Sequence, residues 1–218
     1  MTDGLLPRYS RNEEIANSLT HGLGIVLSIA GLCVLTAFAG MMGTAWHVVS
    51  CSIYGSTLII LYTASTLYHS VQDPWKKQIC RVLDHSAIFI LIAGTYTPFT
   101  LVNLRGPWGW TLFGLIWGLA VLGIIISALS RLRNRALAII LYVGMGWVIV
   151  VAIKPLLGSV ETGGLVFLLT GGIFYTSGLA FYAWKMLKYH HALWHMMVLA
   201  GSVFHFFAVL LYVIPVVP

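Results

Sequence analysis

Residues 185–195 read Lys-Met-Leu-Lys-Tyr-His-His-Ala-Leu-Trp-His, and a largely apolar stretch follows them to the end of the chain. His191 and His195 are four residues apart, so on an α-helix their side chains lie one turn apart on the same face. Two imidazoles in this arrangement can bind one metal ion. The apolar stretch is long enough to cross a membrane, and Lys185 and Lys188 stand just before it. The sequence therefore predicts a metal site at one end of a membrane helix.

The composition of the chain is that of a polytopic membrane protein. Of its 218 residues, 59% are hydrophobic and 8% are charged, whereas a soluble domain carries about 25% charged residues. The formal net charge is +6, but the basic residues are spread over short loops and form no patch or aromatic surface that reads nucleic acid. The three cysteines, Cys33, Cys51 and Cys80, have neither disulfide-framework nor zinc spacing. We therefore expect a membrane protein without a nucleic-acid partner.

Seven apolar segments predict an all-α membrane protein, in which a single domain forms a seven-transmembrane helix bundle. Each segment is close to the roughly 20 residues that a helix needs to cross the hydrocarbon, and the loops are too short for a soluble domain. Gly114 and Gly118 predict a close approach between helices, and Pro98 predicts a kink in the third helix. The predicted spans are residues 15–42, 48–68, 83–102, 110–129, 136–153, 165–184 and 192–213.

The basic residues predict the orientation of the bundle. If the N-terminus is cytoplasmic, ten of the twelve Lys and Arg residues fall on the cytoplasmic side, and only Arg105 and Lys154 fall outside. Short cytoplasmic loops are enriched in Lys and Arg. We therefore expect a multi-pass protein of the plasma (inner) membrane, with its N-terminus inside and its C-terminus outside. The ten residues are Arg8, Arg11, Lys76, Lys77, Arg81, Arg131, Arg133, Arg135, Lys185 and Lys188.

Four predicted helices carry polar side chains at their cytoplasmic ends. His69 ends the second helix, with Ser65 one turn before it, and Asp84 opens the third. The histidine pair of residues 191 and 195 opens the seventh. Ionisable groups at this depth are costly unless they face the bundle interior and find partners, so we expect these side chains to meet there. The first helix adds Glu14, Asn17 and His21, spaced along one stripe.

The ligand types in this group predict a catalytic zinc site. His69, His191 and His195 offer three neutral nitrogen ligands, which suit zinc in a tetrahedral site. Three protein ligands leave a fourth position for water, as in catalytic rather than structural zinc sites. Asp84 is then expected to accept a hydrogen bond from this water and to act as general base. Ser65 is expected to orient His69 or the water.

Several of these residues also have a structural interpretation. A membrane histidine can simply hydrogen-bond a neighbouring helix, and Asp84 can pair with Arg81 or cap the third helix. Glu14 can be a structural partner between helices. His205 lies ten residues beyond His195, about 15 Å along the helix at 1.5 Å per residue. It either lines a cavity above the metal or satisfies a neighbouring helix, and the sequence leaves both alternatives open.

The polar motifs run along nearly the whole chain as Glu14-x2-Asn17-x3-His21, Ser65-x3-His69, Asp84 followed by the Ile-Ala-Gly-Thr-Tyr-Thr-Pro run, and His191-x3-His195 followed by His205. In this order and spacing they resemble the hemolysin III family, part of the progestin and adipoQ receptor superfamily that includes the adiponectin receptors. The resemblance implies a seven-helix bundle with its N-terminus inside. It also implies zinc near the inner leaflet on the three histidines, with Asp84 reaching it through water.

The resemblance and the predicted site together favour one function and leave two alternatives. Adiponectin receptors are linked to ceramide hydrolysis, so the leading hypothesis is a zinc-dependent intramembrane hydrolase of a lipid amide or ester. We expect such an enzyme to serve membrane lipid homeostasis. The family name records a cytolytic activity, so the first alternative is a hemolysin, or cytolysin, or a channel. A pore needs polar lining across the whole membrane, whereas the polar groups are predicted in the inner half. The second alternative is a lipid-sensing receptor with structural zinc. In each case the expected partner is a membrane lipid.

Overall fold

The described part of the chain contains seven helical spans, each long and apolar enough to cross a membrane. The computed structural model describes residues 9–129 and 135–214, and within these ranges it contains helices, turns and no strand. The predicted all-helical membrane architecture is therefore confirmed. Three of the basic residues behind the predicted orientation, Arg8, Arg131 and Arg133, lie outside the described residues.

The fifth membrane span is not a single continuous α-helix. Helices α5 and α6 are joined by a short 3₁₀ segment, and the three together form this span. The elements are α1 (Arg11–Met42), α2 (Ala45–Ser70), α3 (Pro74–Pro98), a π-helical turn (Phe99–Asn103), α4 (Pro107–Leu129), α5 (Arg135–Trp147), a 3₁₀ segment (Val148–Ala152), α6 (Ile153–Ser159), α7 (Thr162–Ala183) and α8 (His190–Tyr212).

Helix α3 begins earlier than the apolar pattern predicts. Its first residue is Pro74 rather than Leu83, because Asp73 caps the helix by accepting a hydrogen bond from the backbone N–H of Lys76 at 2.8 Å. Proline at the first helical position has a backbone angle already suited to the helix and needs no donor there. Asp84 consequently lies ten residues inside α3 and does not cap it.

The end of α3 changes helix type at its proline. Pro98 remains in the α-helix, and the five residues after it form the π-helical turn, closed by a hydrogen bond of 2.8 Å from the Leu104 N–H to the Phe99 carbonyl. Proline has no backbone N–H to donate, and the wider turn accommodates the resulting break in the helical hydrogen bonds. The span thus continues past the proline to Asn103.

Close helix packing occurs at different glycines from those predicted. A Cβ built on Gly114 or Gly118 would meet nothing within 4 Å in the described part of the chain. A Cβ on Gly171 of α7 would lie 2.5 Å from the ring of His205 and 3.1 Å from the carbonyl oxygen of Gly201, both on α8. The small residues that let two helices approach therefore include those of the α7–α8 pair.

Polar side chains at one end of the bundle are buried, while large apolar side chains elsewhere are exposed. Helix α8 packs against both α7 and α1, and α2 packs against α1 and α3. This arrangement brings together the start of α1, the end of α2, the first half of α3 and the start of α8. The buried polar residues at this end include Asn17, His21, Ser65, His69, Asp84, His191 and His195. As expected for a membrane protein, they face the interior, where partners are available.

Candidate metal centre

Three histidines from α2 and α8 form a buried cluster. His69, His191 and His195 are exposed by only 3%, 6% and 0%, and one nitrogen of each lies within 4.8 Å of the others. The Nε2 atoms of His69 and His191 are 3.2 Å apart. Two nitrogens bound to one tetrahedral zinc at about 2.0–2.1 Å lie about 3.3–3.4 Å apart. The spacing therefore fits two ligands of a single ion.

His69 is oriented by a carboxylate from α1. Its Nδ1 lies 2.6 Å from Glu14 Oε2, and the side-chain amide of Asn17 lies 3.4 Å from the same nitrogen. Because an ionised carboxylate only accepts hydrogen bonds, His69 Nδ1 carries the proton, and Nε2 keeps its lone pair toward His191. A carboxylate behind a histidine ligand is the usual arrangement around protein-bound zinc.

His195 is oriented by the backbone of α1. Its Nδ1 donates to the Asn17 carbonyl at 3.1 Å, and the Thr20 hydroxyl lies 3.2 Å from the same nitrogen. Since a carbonyl oxygen is only an acceptor, the lone pair of His195 is on Nε2. That atom is buried and has no hydrogen-bond partner. A buried polar atom without a partner is costly, and a metal ion would satisfy it.

His191 faces His69 in a pairing that a metal ion would complete. Either His191 Nε2 donates a proton to His69 Nε2 across the 3.2 Å between them, or both lone pairs point at one ion. The other ring nitrogen, His191 Nδ1, is buried without a partner. The donor set of three neutral imidazoles, with two tautomers already selected, fits zinc better than a harder ion such as magnesium or calcium.

The first turn of α1 sets the position of α8. Ser10 and Glu13 cap α1 reciprocally, and the other oxygen of Glu13 accepts a hydrogen bond of 3.3 Å from the Tyr189 N–H. Tyr189 has a φ of 59°, a left-handed conformation uncommon outside glycine. This turn directs the chain into α8, which begins at His190.

Further aromatic rings pack around the cluster, among them those of His21 and Tyr9. His21 stacks on His195 with ring centroids 3.5 Å apart and an 11° angle between the rings. Both ring nitrogens of His21 are buried without partners. The ring of Tyr9 lies 5.0 Å from that of His191 and 5.9 Å from that of His69. Tyr9 therefore covers the cluster on the side of the chain's N-terminus.

Asp84 lies beside the histidine cluster and is not part of it. It is 5% exposed, and its carboxylate is outside the group of mutually close ligand atoms. Its Oδ2 atom lies 3.6 Å from His85 Nδ1. Ser65 is fully buried next to the Asp84 carboxylate. Its hydroxyl oxygen has no partner within hydrogen-bonding geometry.

A cavity extends from Asp84 to His191, the member of the histidine cluster that lines it. Aromatic and aliphatic side chains from several helices make up most of the remaining lining. Such a cavity, apolar apart from a few convergent polar groups, is the usual form of a small-molecule site. The lining residues include Tyr68, Asp84, Tyr142, Tyr182, His191 and Trp194.

His205 lies apart from this site. Its ring stacks on Tyr175 at 5.2 Å with a 13° interplanar angle, and its Nδ1 lies 2.9 Å from the Gly201 carbonyl oxygen. It also packs over Gly171. These contacts favour the second of its two alternatives, a role in packing α8 against α7.

The structure adds residues to the site that the sequence pattern did not single out. Thr20 contacts His195, Tyr9 covers the cluster, and Lys77 pairs with Glu14 at 2.8 Å. Thr20 falls three residues after Asn17 and could have been found as part of the same helix stripe. Lys77 looks like any other loop lysine in the sequence, and no local signal distinguishes it.

The region that contains this site is shared with known proteins. A family model described as haemolysin-III related matches residues 9–206. Hemolysin-3 of Bacillus cereus is 49% identical over 203 residues, which cover 93% of each chain. The Hemolysin-3 homolog of Bacillus subtilis (strain 168) is 45% identical over 208 residues, covering 95% of this chain and 98% of the relative. A human relative, the monocyte to macrophage differentiation factor, is 28% identical over 205 residues, covering 90% and 83%.

Proposed function

This chain belongs to the haemolysin III family, and from that premise we propose that it is a zinc-binding intramembrane hydrolase of a lipid amide or ester. The family expected from the polar motifs is thereby confirmed. The observation that carries the proposal is the buried cluster of His69, His191 and His195, in which two Nε2 lone pairs are selected by partners on α1. When bound there, zinc would polarise a lipid carbonyl and activate water.

Asp84 and Ser65 are proposed to manage the water. The Asp84 carboxylate lies on the cavity wall with His191, where it would accept a proton from the attacking water and return it to the leaving group. Ser65, beside it, carries a hydroxyl with no partner of its own and would hold the water in place. Neither residue needs to bind the metal directly, which agrees with their position outside the ligand cluster.

The substrate is proposed to be a membrane lipid whose carbonyl lies near the headgroup. The aromatic lining of the cavity suits an apolar chain, and Tyr9 would keep bulk water away from the histidines. The site lies at the same end as Arg11, Lys76 and the other described residues of the basic group, while Arg105 lies at the opposite end. On this basis we propose that the site lies at the cytoplasmic face of the plasma membrane.

The test combines metal analysis with a hydrolysis assay on purified protein. We expect about one zinc per chain, lost in His191→Ala and His195→Ala but retained in His190→Ala. His190 is a matched control because it is adjacent and buried, and its Nδ1 contacts the Phe181 carbonyl instead of the cluster. Lipids with amide and ester bonds, ceramides included, are then screened for fatty-acid release by mass spectrometry, with and without a zinc chelator.

The outcomes separate the candidate functions. Zinc-dependent release of fatty acid supports the hydrolase. Zinc that stays bound while no lipid is turned over would leave the lipid-sensing receptor as the better reading. Zinc that is equally retained in both histidine variants contradicts the site itself.

A cytolysin is the second candidate, and the name of the Bacillus cereus relative, Hemolysin-3, is the observation that favours it. Against it, the hydroxyls of Tyr62 and Tyr175 in the middle of the bundle both bond Ser202, so these polar groups hold helices together instead of lining a pore. Protein reconstituted in liposomes distinguishes the two. Dye leakage without lipid hydrolysis would favour the cytolysin, and hydrolysis without leakage would favour the enzyme.

A further inference from the structure

Lys77 lies in the first turn of α3, yet its ammonium group turns toward α1 and α2. It pairs with Glu14 Oε1 at 2.8 Å and donates to the carbonyl oxygens of Tyr68 at 3.1 Å and Val71 at 3.2 Å. An ammonium group has three hydrogens to donate, and these three acceptors use all of them. The side chain of Lys77 is only 12% exposed.

The neighbouring lysine shows that this arrangement is not required for membrane topology. Lys76 is exposed, and its recorded polar contact is through its backbone N–H to Asp73. Both lysines contribute equally to the positive charge of the loop, which is what orients a membrane protein. A lysine that only set the topology would gain nothing by turning inward, so the contacts of Lys77 need another explanation.

The contacts of Lys77 lead to the metal centre in two steps. Glu14 bonds Lys77 through Oε1 and His69 through Oε2. One carboxylate therefore bridges an ammonium group and a candidate metal ligand. Lys77 also donates a hydrogen bond to the carbonyl oxygen of Tyr68, the residue before His69 at the end of α2. It thus restrains His69 from both directions, at its ring through Glu14 and at its backbone through Tyr68.

We infer that Lys77 is a positioning residue of the metal centre, acting through Glu14 on His69; this inference rests on the metal site proposed above. The charge of Lys77 holds the Glu14 carboxylate in the rotamer that accepts a hydrogen bond from the His69 Nδ1–H. That hydrogen bond keeps the ring in its plane and its Nε2 lone pair directed at the cluster. Carboxylates behind histidine ligands typically change metal affinity by roughly 10–100-fold, and Lys77 extends this support by one residue.

The test measures zinc affinity by competition with a chromogenic chelator on purified, metal-free protein. Lys77→Met keeps an unbranched side chain, one heavy atom shorter, and removes its charge, and we expect it to weaken zinc binding by roughly 10-fold or more. Lys76→Met is the matched control and is expected to bind as the wild type does. Lys77→Arg keeps the charge and is expected to recover most of the lost affinity.

Two further readouts separate positioning from general stability. The visible spectrum of the cobalt-substituted protein reports ligand geometry, and we expect it to change in Lys77→Met and not in Lys76→Met. Combining Lys77→Met with Glu14→Gln should weaken binding little more than Glu14→Gln alone, because both changes act on one pathway. If Lys77→Met does not fold, Lys77→Gln is measured in its place.

Three results would overturn the inference. The first is wild-type affinity and spectrum in Lys77→Met, with at most a lower melting temperature of the metal-free protein. The second is full additivity of the Lys77 and Glu14 changes. The third is a wild-type protein that binds no zinc, which would also remove the proposed metal site, whereas the first two leave that site intact.

Discussion

Replacing Gly171 by alanine is expected to force α7 and α8 apart. The added Cβ would lie 2.5 Å from Cε1 and 2.6 Å from Nδ1 of His205, whereas non-bonded heavy atoms pack at about 3.5–4.0 Å. The ring cannot easily move away, because its Nδ1 is bonded to Gly201 and its face is stacked on Tyr175. The carbonyl oxygen of Gly201, only 3.1 Å from the added atom, belongs to the backbone. The helices themselves must therefore shift.

Gly172 provides a matched control for the size of this effect. A Cβ there would come no closer than 3.9 Å to Trp147, an ordinary contact. Both substitutions gain the same helix propensity, up to about 1 kcal/mol for glycine to alanine. The difference between the two variants therefore isolates the steric cost, about 1–3 kcal/mol for overpacking a well-packed site.

Thermal unfolding of the two variants in the same detergent, followed by tryptophan fluorescence, measures this difference. At roughly 2–4 °C per kcal/mol for a chain of this size, we expect Gly171→Ala to melt roughly 2–12 °C below Gly172→Ala. Equal melting temperatures would refute the reasoning, since they would mean that the α7–α8 contact yields without cost. Zinc content should stay close to wild type, because His205 lies apart from the histidine cluster.

Three further predictions concern the polar groups of the bundle. Ser202→Ala removes the hydroxyl that Tyr62 and Tyr175 share, and at about 0.6 kcal/mol per interhelical hydrogen bond it should lower the free energy of unfolding by about 1 kcal/mol. The control Ser177→Ala changes an exposed serine and should leave this free energy unchanged. Equal denaturation midpoints of the two variants would contradict the prediction. Asp84→Asn should keep zinc in elemental analysis and lose lipid hydrolysis; loss of the metal would instead make Asp84 a direct ligand. Tyr9→Ala should speed zinc removal by a chelator, while Tyr9→Phe, which keeps the ring, should not; equal rates in both would mean that this ring does not cover the metal.

Much of the fold and of the candidate site could be predicted from local patterns. The seven spans follow from apolar segments whose length matches the hydrocarbon thickness. The meeting of His69, His191 and His195 follows from their shared depth at helix ends, because polar groups in a membrane must face one another. The start of α3 was missed, since the apolar pattern begins at Leu83 while the helix signal, Asp73 and Pro74, lies in a polar stretch.

Other features could not be predicted because they depend on how helices turn relative to one another. Lys76 and Lys77 are adjacent and chemically identical, and only the rotation of α3 against α1 and α2 decides which ammonium group meets Glu14. In the same way, Gly114 and Gly118 have the spacing of a helix contact, but close approaches occur at other glycines, Gly171 among them. A small residue permits contact without specifying its partner.

The sequence by itself determined the number of helices, their membrane character and the end of the bundle at which the polar groups gather. Each of these follows from the free energy of placing one segment in hydrocarbon, a property of that segment alone. The tertiary structure decided which nitrogen of His69 and which nitrogen of His195 carries a proton, and which face of the site is closed. The partners that settle this for His69 and His195 lie 55 and 178 residues away along the chain, so their identity exists only once α1, α2 and α8 have packed.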